Sequence, residues 1–212
     1  MTIDTLLAQG AAGIVAILRG VAPEQALELG TVLVQAGIRI IEVPLNSPRP
    51  LDSITRLENA LGRQALIGAG TVLSTNDVDA VAAAGGRLIV TPNTNPAVIS
   101  RALERALHPM PGFLSPSEAF AAVAAGARDL KLFPARTSGA SHLAALREVL
   151  PSQVRVWAVG GIDTANLGEW LASGAVGVGV GSSLYRPGAT PEQVAAYARE
   201  LVAVWHSARQ RQ

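Results

Sequence analysis

The chain has no cysteine among its 212 residues. That excludes disulfides and thiolate metal sites, and it makes a reducing compartment, the cytoplasm, the expected setting. Aromatic residues are scarce at 4%, charged residues reach only 16%, and the net charge is +1 with no basic block. The clustered electrostatic footprint that nucleic acid demands is therefore missing. Long apolar runs are missing as well, because glycine or proline breaks each one before it could span a bilayer. Met1 to Gly10 carries Asp4 and no basic stretch, which is unlike a secretory leader. His108, His142 and His206 lie far apart without ligand spacing, and no acidic cluster marks a divalent ion. Neither a Gly-x-Ser-x-Gly elbow nor a cysteine nucleophile is available. No metal, no cofactor, no nucleic acid and no membrane are expected.

Lysine is the most telling scarcity. Lysine and arginine total 17, and arginine fills 16 of those positions, which leaves Lys131 alone. It lies in Asp129-Leu130-Lys131-Leu132-Phe133-Pro134, a strand-like apolar segment. An amine in such surroundings loses solvation of its ammonium form. Its pKa falls, and more of it becomes the free nucleophile that attacks carbonyls. The plainer alternative is an arginine-rich chain whose last lysine snorkels from a strand end. That accounts for the scarcity but not for the place, so Lys131 is read as a Schiff-base lysine.

What is abundant is apolar residue, at 49%, together with 21 glycines, enough for a large core. Short apolar runs alternate with helical patterns. Strands are expected at 14–18, 39–43, 65–69, 87–91, 129–133, 154–159 and 175–180, with a weak one at 108–112. Helices are expected near 23–36, 51–61, 74–84, 95–107, 115–125, 139–150, 163–173 and 191–206. Pro23 and Pro191 suit a first turn, Ser115 to Glu118 reads as a capping box, and Gly37, Gly85, Gly126 and Gly174 follow helix ends. Eight such units, with strands apolar on both faces, predict an α/β fold, a (β/α)8 TIM barrel spanning 1–212 as one domain. An extra N-terminal helix, Ile3 to Gly10, is expected over the barrel bottom. An open doubly wound sheet is the rival, but Leu18-Arg19-Gly20-Val21 after the first strand is not its nucleotide loop.

Barrels of this kind place their chemistry at the C-terminal ends of the strands. Arg19, Glu42, Thr71, Asn93, Lys131, Gly160 and Gly161 all fall there. Burial of Glu42 between Ile41 and Val43 would raise its pKa and suit it to proton transfer near neutrality; the alternative is an ion pair with an arginine such as Arg19. Arg19 offers a fork for a carboxylate or a phosphate, or is simply solvated. Thr71 follows Gly68-Ala69-Gly70 and could donate its hydroxyl to a substrate carboxylate, or cap the next helix. Gly160-Gly161 and Gly181-Ser182, with a short helix N-terminus nearby, form the expected phosphate site after strands seven and eight. Gly177 and Gly179 are read as packing glycines. The run Gly177 to Ser182 fails as a dinucleotide loop, since its sixth position is Ser182 and no acidic residue follows at the needed distance.

With these residues laid out, the chain resembles the class I aldolases that cleave 2-keto-3-deoxy-6-phospho sugar acids. The likeness covers nearly the whole chain. It rests on Ile17 to Gly20, Ile41 to Pro48, Ile67 to Leu73, Val90 to Asn93, Glu118 to Phe120, Leu130 to Pro134, Ala158 to Gly161 and Gly181 to Tyr185. The resemblance implies that Lys131 forms the Schiff base and Glu42 moves the protons. It implies that Arg19 and Thr71 hold the carboxylate, with Arg19 alternatively at the phosphate, and that Pro92 and Phe133 wall the pocket. Gly160, Gly161, Gly181 and Ser182 would take the phosphate. The implied partners are a phosphorylated sugar acid, pyruvate and glyceraldehyde 3-phosphate, and the implied assembly is a homotrimer. Two sister groups act on C4 epimers. Pro44-Leu45-Asn46-Ser47 and Val159, where the phosphogluconate type has Thr-Leu-Arg-Thr and a threonine, resemble the phosphogalactonate type of galactonate breakdown. The stretch Ser115 to Glu118 departs from the family pattern. The alternatives are the gluconate epimer, a phosphosugar isomerase or epimerase working without a covalent lysine, and a non-catalytic sugar-phosphate binder.

Overall fold

The computed structural model describes residues 1–211. After helix α1 (Ile3–Ala8), strands and helices alternate: β1 (Ile14–Ile17), α2 (Pro23–Ala36), β2 (Ile40–Pro44), α3 (Pro50–Leu61), β3 (Leu66–Gly70), α4 (Thr75–Ala83), β4 (Leu88–Val90) and α5 (Pro96–Glu104). Then come β5 (His108–Met110), β6 (Gly112–Phe113), α6 (Pro116–Ala124), β7 (Asp129–Leu132), α7 (Ala135–Ser138), α8 (Ala140–Arg147), β8 (Arg155–Val159), α9 (Leu167–Ala172), β9 (Gly177–Val180) and α10 (Pro191–Arg209). All strand pairs are parallel, in the order β5-β4-β3-β2-β1-β9-β8-β7-β6. Since β5 and β6 are consecutive in the chain, the two ends of this sheet come next to each other and the (β/α)8 barrel is nearly closed. No helix among the described residues is long and apolar enough to cross a membrane.

Strand parity sorts the side chains. Ile14, Ala16, Ile41, Val43, Ile67, Ala69, Leu130 and Leu132 pack outward under the helices. Val15, Ile40, Leu66, Leu88, Met110 and Trp157 form a separate inner layer, sealed below by Ile3 and Leu6 of α1. Each of those two side chains contributes about 1.5–3 kcal/mol by burial. The helix over the barrel bottom thus stands as expected. Glu42 shares parity with Ile40, and Lys131 with Asp129, so both belong to the barrel interior.

The local signals operate as read. Ser115 accepts the Glu118 amide while Glu118 bonds the Ser115 amide, a complete capping box. Gly37, Gly85, Gly126 and Gly174 take φ of 101°, 85°, 100° and 96° after their helices. Three expectations need correction. The fifth strand is not one run over 108–112, because Pro111 has no N–H to pair and splits it into β5 and β6. The helix expected over 139–150 is present as α8 but stops at Arg147, and a short helix not foreseen from the sequence, α7, precedes it and ends at Gly139 with φ of 79°. The helix expected from Asp163 starts only at Leu167, because Asp163 Oδ1 accepts the amides of Ala165 and Asn166 in a local turn.

At the strand N-termini, buried Asp129 accepts His108 Nε2 at 2.9 Å, Arg155 Nε at 2.8 Å and Trp157 Nε1 at 2.7 Å. Arg155 reaches on to Asp4 of α1, tying the lower seal to the barrel. Burial pushes the Asp129 carboxyl up, but hydrogen bonds from His108 and then Arg155 outweigh it and hold the group below the usual carboxylate range. Its ionised form therefore stabilises the fold at neutral pH, and this contribution fades only as pH falls through that depressed value. Asp129→Asn is expected to cost about 3 kcal/mol, as removal of one partner from a buried pair does. Urea unfolding at pH 7 measures the loss, while the folded fraction keeps the wild-type site above.

Candidate active site

The upper end of the barrel opens into a cavity of about 990 Å³. Of the eleven residues given a role from the sequence, eight line it, Arg19, Lys131, Phe133, Val159, Gly160, Gly161, Gly181 and Ser182, while Asn93, noted only for its place at a strand end, does not. Glu42, inside β2, and Thr71 and Pro92, beyond β3 and β4 at the same end, do not line it.

Lys131 is 6% exposed and Glu42 2%. The registers Ile17↔Glu42 and Glu42↔Gly68 fix the carboxylate within the sheet, and Gly112↔Lys131↔Trp157 fix the amine. Burial lowers the Lys131 pKa; Glu42 pulls it back up and Arg19 adds to the lowering. Burial raises Glu42 to about 7, against the opposing pull of Lys131 and then Arg19. Glu42 Oε2 is buried without a hydrogen-bond partner among the described residues. An unpaired buried carboxylate oxygen beside a buried amine is costly for folding and suited to receiving a proton. Lys131 Nζ lies 4.6 Å from the centre of the Phe133 ring, whose π face favours a cationic nitrogen.

Arg19 is exposed and its NH1 donates to Asn46 Oδ1 at 2.7 Å; the next amide, Gly20, donates to Ser47 Oγ at 2.9 Å. Two loops are joined there, and Arg19 forms no ion pair with Glu42 within the distances of a salt bridge. Thr71 is not the cap of the following helix, since Ser74 fills that role with Asp77. Thr71 instead holds φ of 57°, an uncommon and strained conformation for a β-branched residue. Gly160 and Gly161 take φ of 106° and 79° after β8. After β9 the expected short helix is absent: Leu184 and Tyr185 amides both donate to Gly181 O in a turn. The strand glycines behave as packing residues, for a methyl at Gly177 would fall 2.3 Å from Trp157 and one at Gly179 2.7 Å from Val159.

Sequence reasoning passed over several residues. Gly70 lies against the Glu42 carboxylate, so closely that a methyl group there would sit 2.0 Å from Oε2. Asn46 grips Arg19, while Arg136, Arg186 and Tyr185 line the cavity. Gly70, Asn46 and Arg136 act across gaps of many residues, on Glu42, Arg19 and Gly161, and only the run of glycines and the Phe-Pro ending hinted at a built wall. Four cations, Arg19, Lys131, Arg136 and Arg186, face this cavity against Asp163, which favours an anionic ligand.

Residues 4–196 match the family model described as KDPG and KHG aldolase. The chain is 44% identical over 195 residues to the 2-dehydro-3-deoxy-6-phosphogalactonate aldolase of Escherichia coli (strain K12), covering 92% of this chain and 95% of that one. It is 31% identical over 151 residues, 70% of each chain, to the KHG/KDPG aldolase of the same organism. Among solved structures, one described as "Native KDPGal structure" superposes with a TM-score of 0.92 at 44% identity, covering 93% of this chain and 96% of that one.

Proposed function

The chain belongs to the KDPG and KHG aldolase family, and on that premise we propose that it cleaves 2-dehydro-3-deoxy-6-phosphogalactonate reversibly to pyruvate and D-glyceraldehyde 3-phosphate. The observation that carries this reading is the buried Lys131–Glu42 pair inside the barrel, each side chain shifting the other's pKa.

Lys131 in its free-amine form attacks the C2 ketone, and the carbinolamine loses water to give an iminium. Glu42, ionised, takes the proton from the C4 hydroxyl. The C3–C4 bond breaks, its electrons pass into the iminium, and glyceraldehyde 3-phosphate departs. The resulting enamine receives a proton at C3, with Glu42 now the acid, and hydrolysis frees pyruvate and Lys131. The nitrogen is cationic at the iminium stage, where the Phe133 ring supports it. Arg19, held by Asn46, meets the carboxylate; Thr71 and Pro92, which follow β3 and β4 outside the cavity wall, approach it from the same end of the barrel. Gly160, Gly161, Gly181 and Ser182 offer backbone and hydroxyl donors to the phosphate.

Substrate choice rests on Val159. It is buried in the cavity wall, and it presents methyl groups where a threonine would present a hydroxyl. The higher identity to the phosphogalactonate relative supports the same epimer. Purified protein supplied with each C4 epimer, with pyruvate release followed, is expected to favour the galactonate form by at least about tenfold in kcat/KM. A clear preference for the gluconate form would reassign the enzyme to the other sister group. The working unit is read as one barrel domain in a cytoplasmic homotrimer. Apolar Leu73, Leu114 and Phe120, exposed on the single chain, supply surface for such an assembly.

A further inference from the structure

Arg136 stands at the second position of α7, five residues beyond Lys131. Its amide donates to Gly160 O at 3.0 Å, which pins the start of α7 to the end of β8. The side chain then runs along Gly161. A methyl group on Gly161 would lie 2.8 Å from Arg136 Cβ, 3.1 Å from Cδ and 2.5 Å from Nε. Gly161 is thus glycine for two reasons, its φ of 79° and the space that the arginine occupies.

The other exposed arginines of the cavity each give one donor to the protein. Arg19 donates to Asn46, and Arg186 Nε donates to Ser182 O at 2.8 Å. The Arg136 guanidinium has no hydrogen bond and no ion pair among the described residues. Asp163, the acidic residue of the lining, turns Oδ1 to the Ala165 and Asn166 amides and forms no salt bridge with it. A planar fork with every donor uncommitted, laid beside two left-handed glycines, matches an oxyanion that accepts two parallel hydrogen bonds. Neutral N–H groups and a hydroxyl alone leave a phosphate dianion uncompensated, and Arg136 is the cation that lies against Gly161 itself.

We propose that Arg136 binds the substrate's phosphate and sets the preference for phosphorylated over unphosphorylated aldehyde; this deepens, and rests on, the aldolase reading above. The test uses Arg136→Met, which keeps the packing along Gly161, and Arg136→Lys, which keeps charge without the fork. Three quantities are measured on the folded variants: inorganic phosphate binding by calorimetry, cleavage of the phosphorylated substrate, and condensation of pyruvate with unphosphorylated glyceraldehyde. Arg136→Met is expected to weaken phosphate binding and raise KM for the phosphorylated substrate about tenfold to a hundredfold. Condensation with unphosphorylated glyceraldehyde should stay at the wild-type rate, and Arg136→Lys should recover part of the loss. Unchanged phosphate affinity and unchanged discrimination in folded Arg136→Met would overturn the assignment. Weakened phosphate binding in a protein that captures no pyruvate would uphold the phosphate site and fell the aldolase reading instead.

Discussion

Lys131→Met lowers cleavage by about 10⁴-fold or more, since removing a covalent nucleophile leaves only binding and polar stabilisation to act. Methionine fills similar volume beside Phe133, so the loss is chemical and not a collapse of the barrel. Lys131→Arg gives no rescue, because a guanidinium is never the free base. Incubation with pyruvate and borohydride, followed by peptide mapping, reads the covalent step directly. The chain has one lysine, so a reduced adduct can form only at Lys131 or the terminal amine. An adduct on Lys131 that vanishes in Lys131→Met establishes the Schiff base. A folded wild-type protein that takes no label would transfer the assignment to a proton-transfer isomerase or epimerase.

Glu42→Gln separates two effects with opposite signs. Cleavage falls by roughly 10²–10⁴, the range for losing a positioned acid–base group. Wild-type kcat/KM climbs as pH rises through about 7, where burial has placed the Glu42 carboxyl, because the base must be ionised. The amide variant loses that limb. Stability moves the other way. The folded protein holds the Glu42 proton between the ordinary value of 4.5 and about 7, whereas the unfolded chain releases it. Stability is therefore greatest below the unfolded value and declines as pH rises through about 7, by up to roughly 3 kcal/mol. Glu42→Gln escapes the decline and is more resistant to urea at pH 8 than wild type, with little difference at pH 5. A variant no more stable at pH 8, and still showing the limb near pH 7, would remove Glu42 from both roles.

The barrel was legible because each unit is punctuated locally. Prolines at first turns, capping boxes such as Ser115 with Glu118, and left-handed glycines after helices depend on residues within a turn of one another. Lys131 and Glu42 were legible for a related reason: a charge flanked by branched apolar residues declares its burial in the strand itself. The splitting of the fifth strand at Pro111 was foreseeable only as weakness, since the same residues could have formed one edge of an open sheet. Other features depended on distance. Arg136 becomes meaningful only when Gly161 comes to lie against it, and Arg19 only when Asn46 closes on it. Glu42 was read with an arginine as its competing partner, yet Arg19 turned to Asn46, leaving Oε2 unpartnered. Neighbours in space that are strangers in sequence leave no periodic trace.

The contact between Gly70 and the Glu42 carboxylate has a consequence for how this chain can drift. Position 70 is the last residue of a buried strand, where alanine is ordinarily an innocuous exchange. Here the added methyl would occupy the place of a carboxylate oxygen, so the smallest available change in the genetic alphabet becomes a lesion in Glu42. In a library of random variants, Gly70→Ala is expected to turn the Glu42 carboxylate aside and to lower turnover more than stability, read by kcat against urea midpoint.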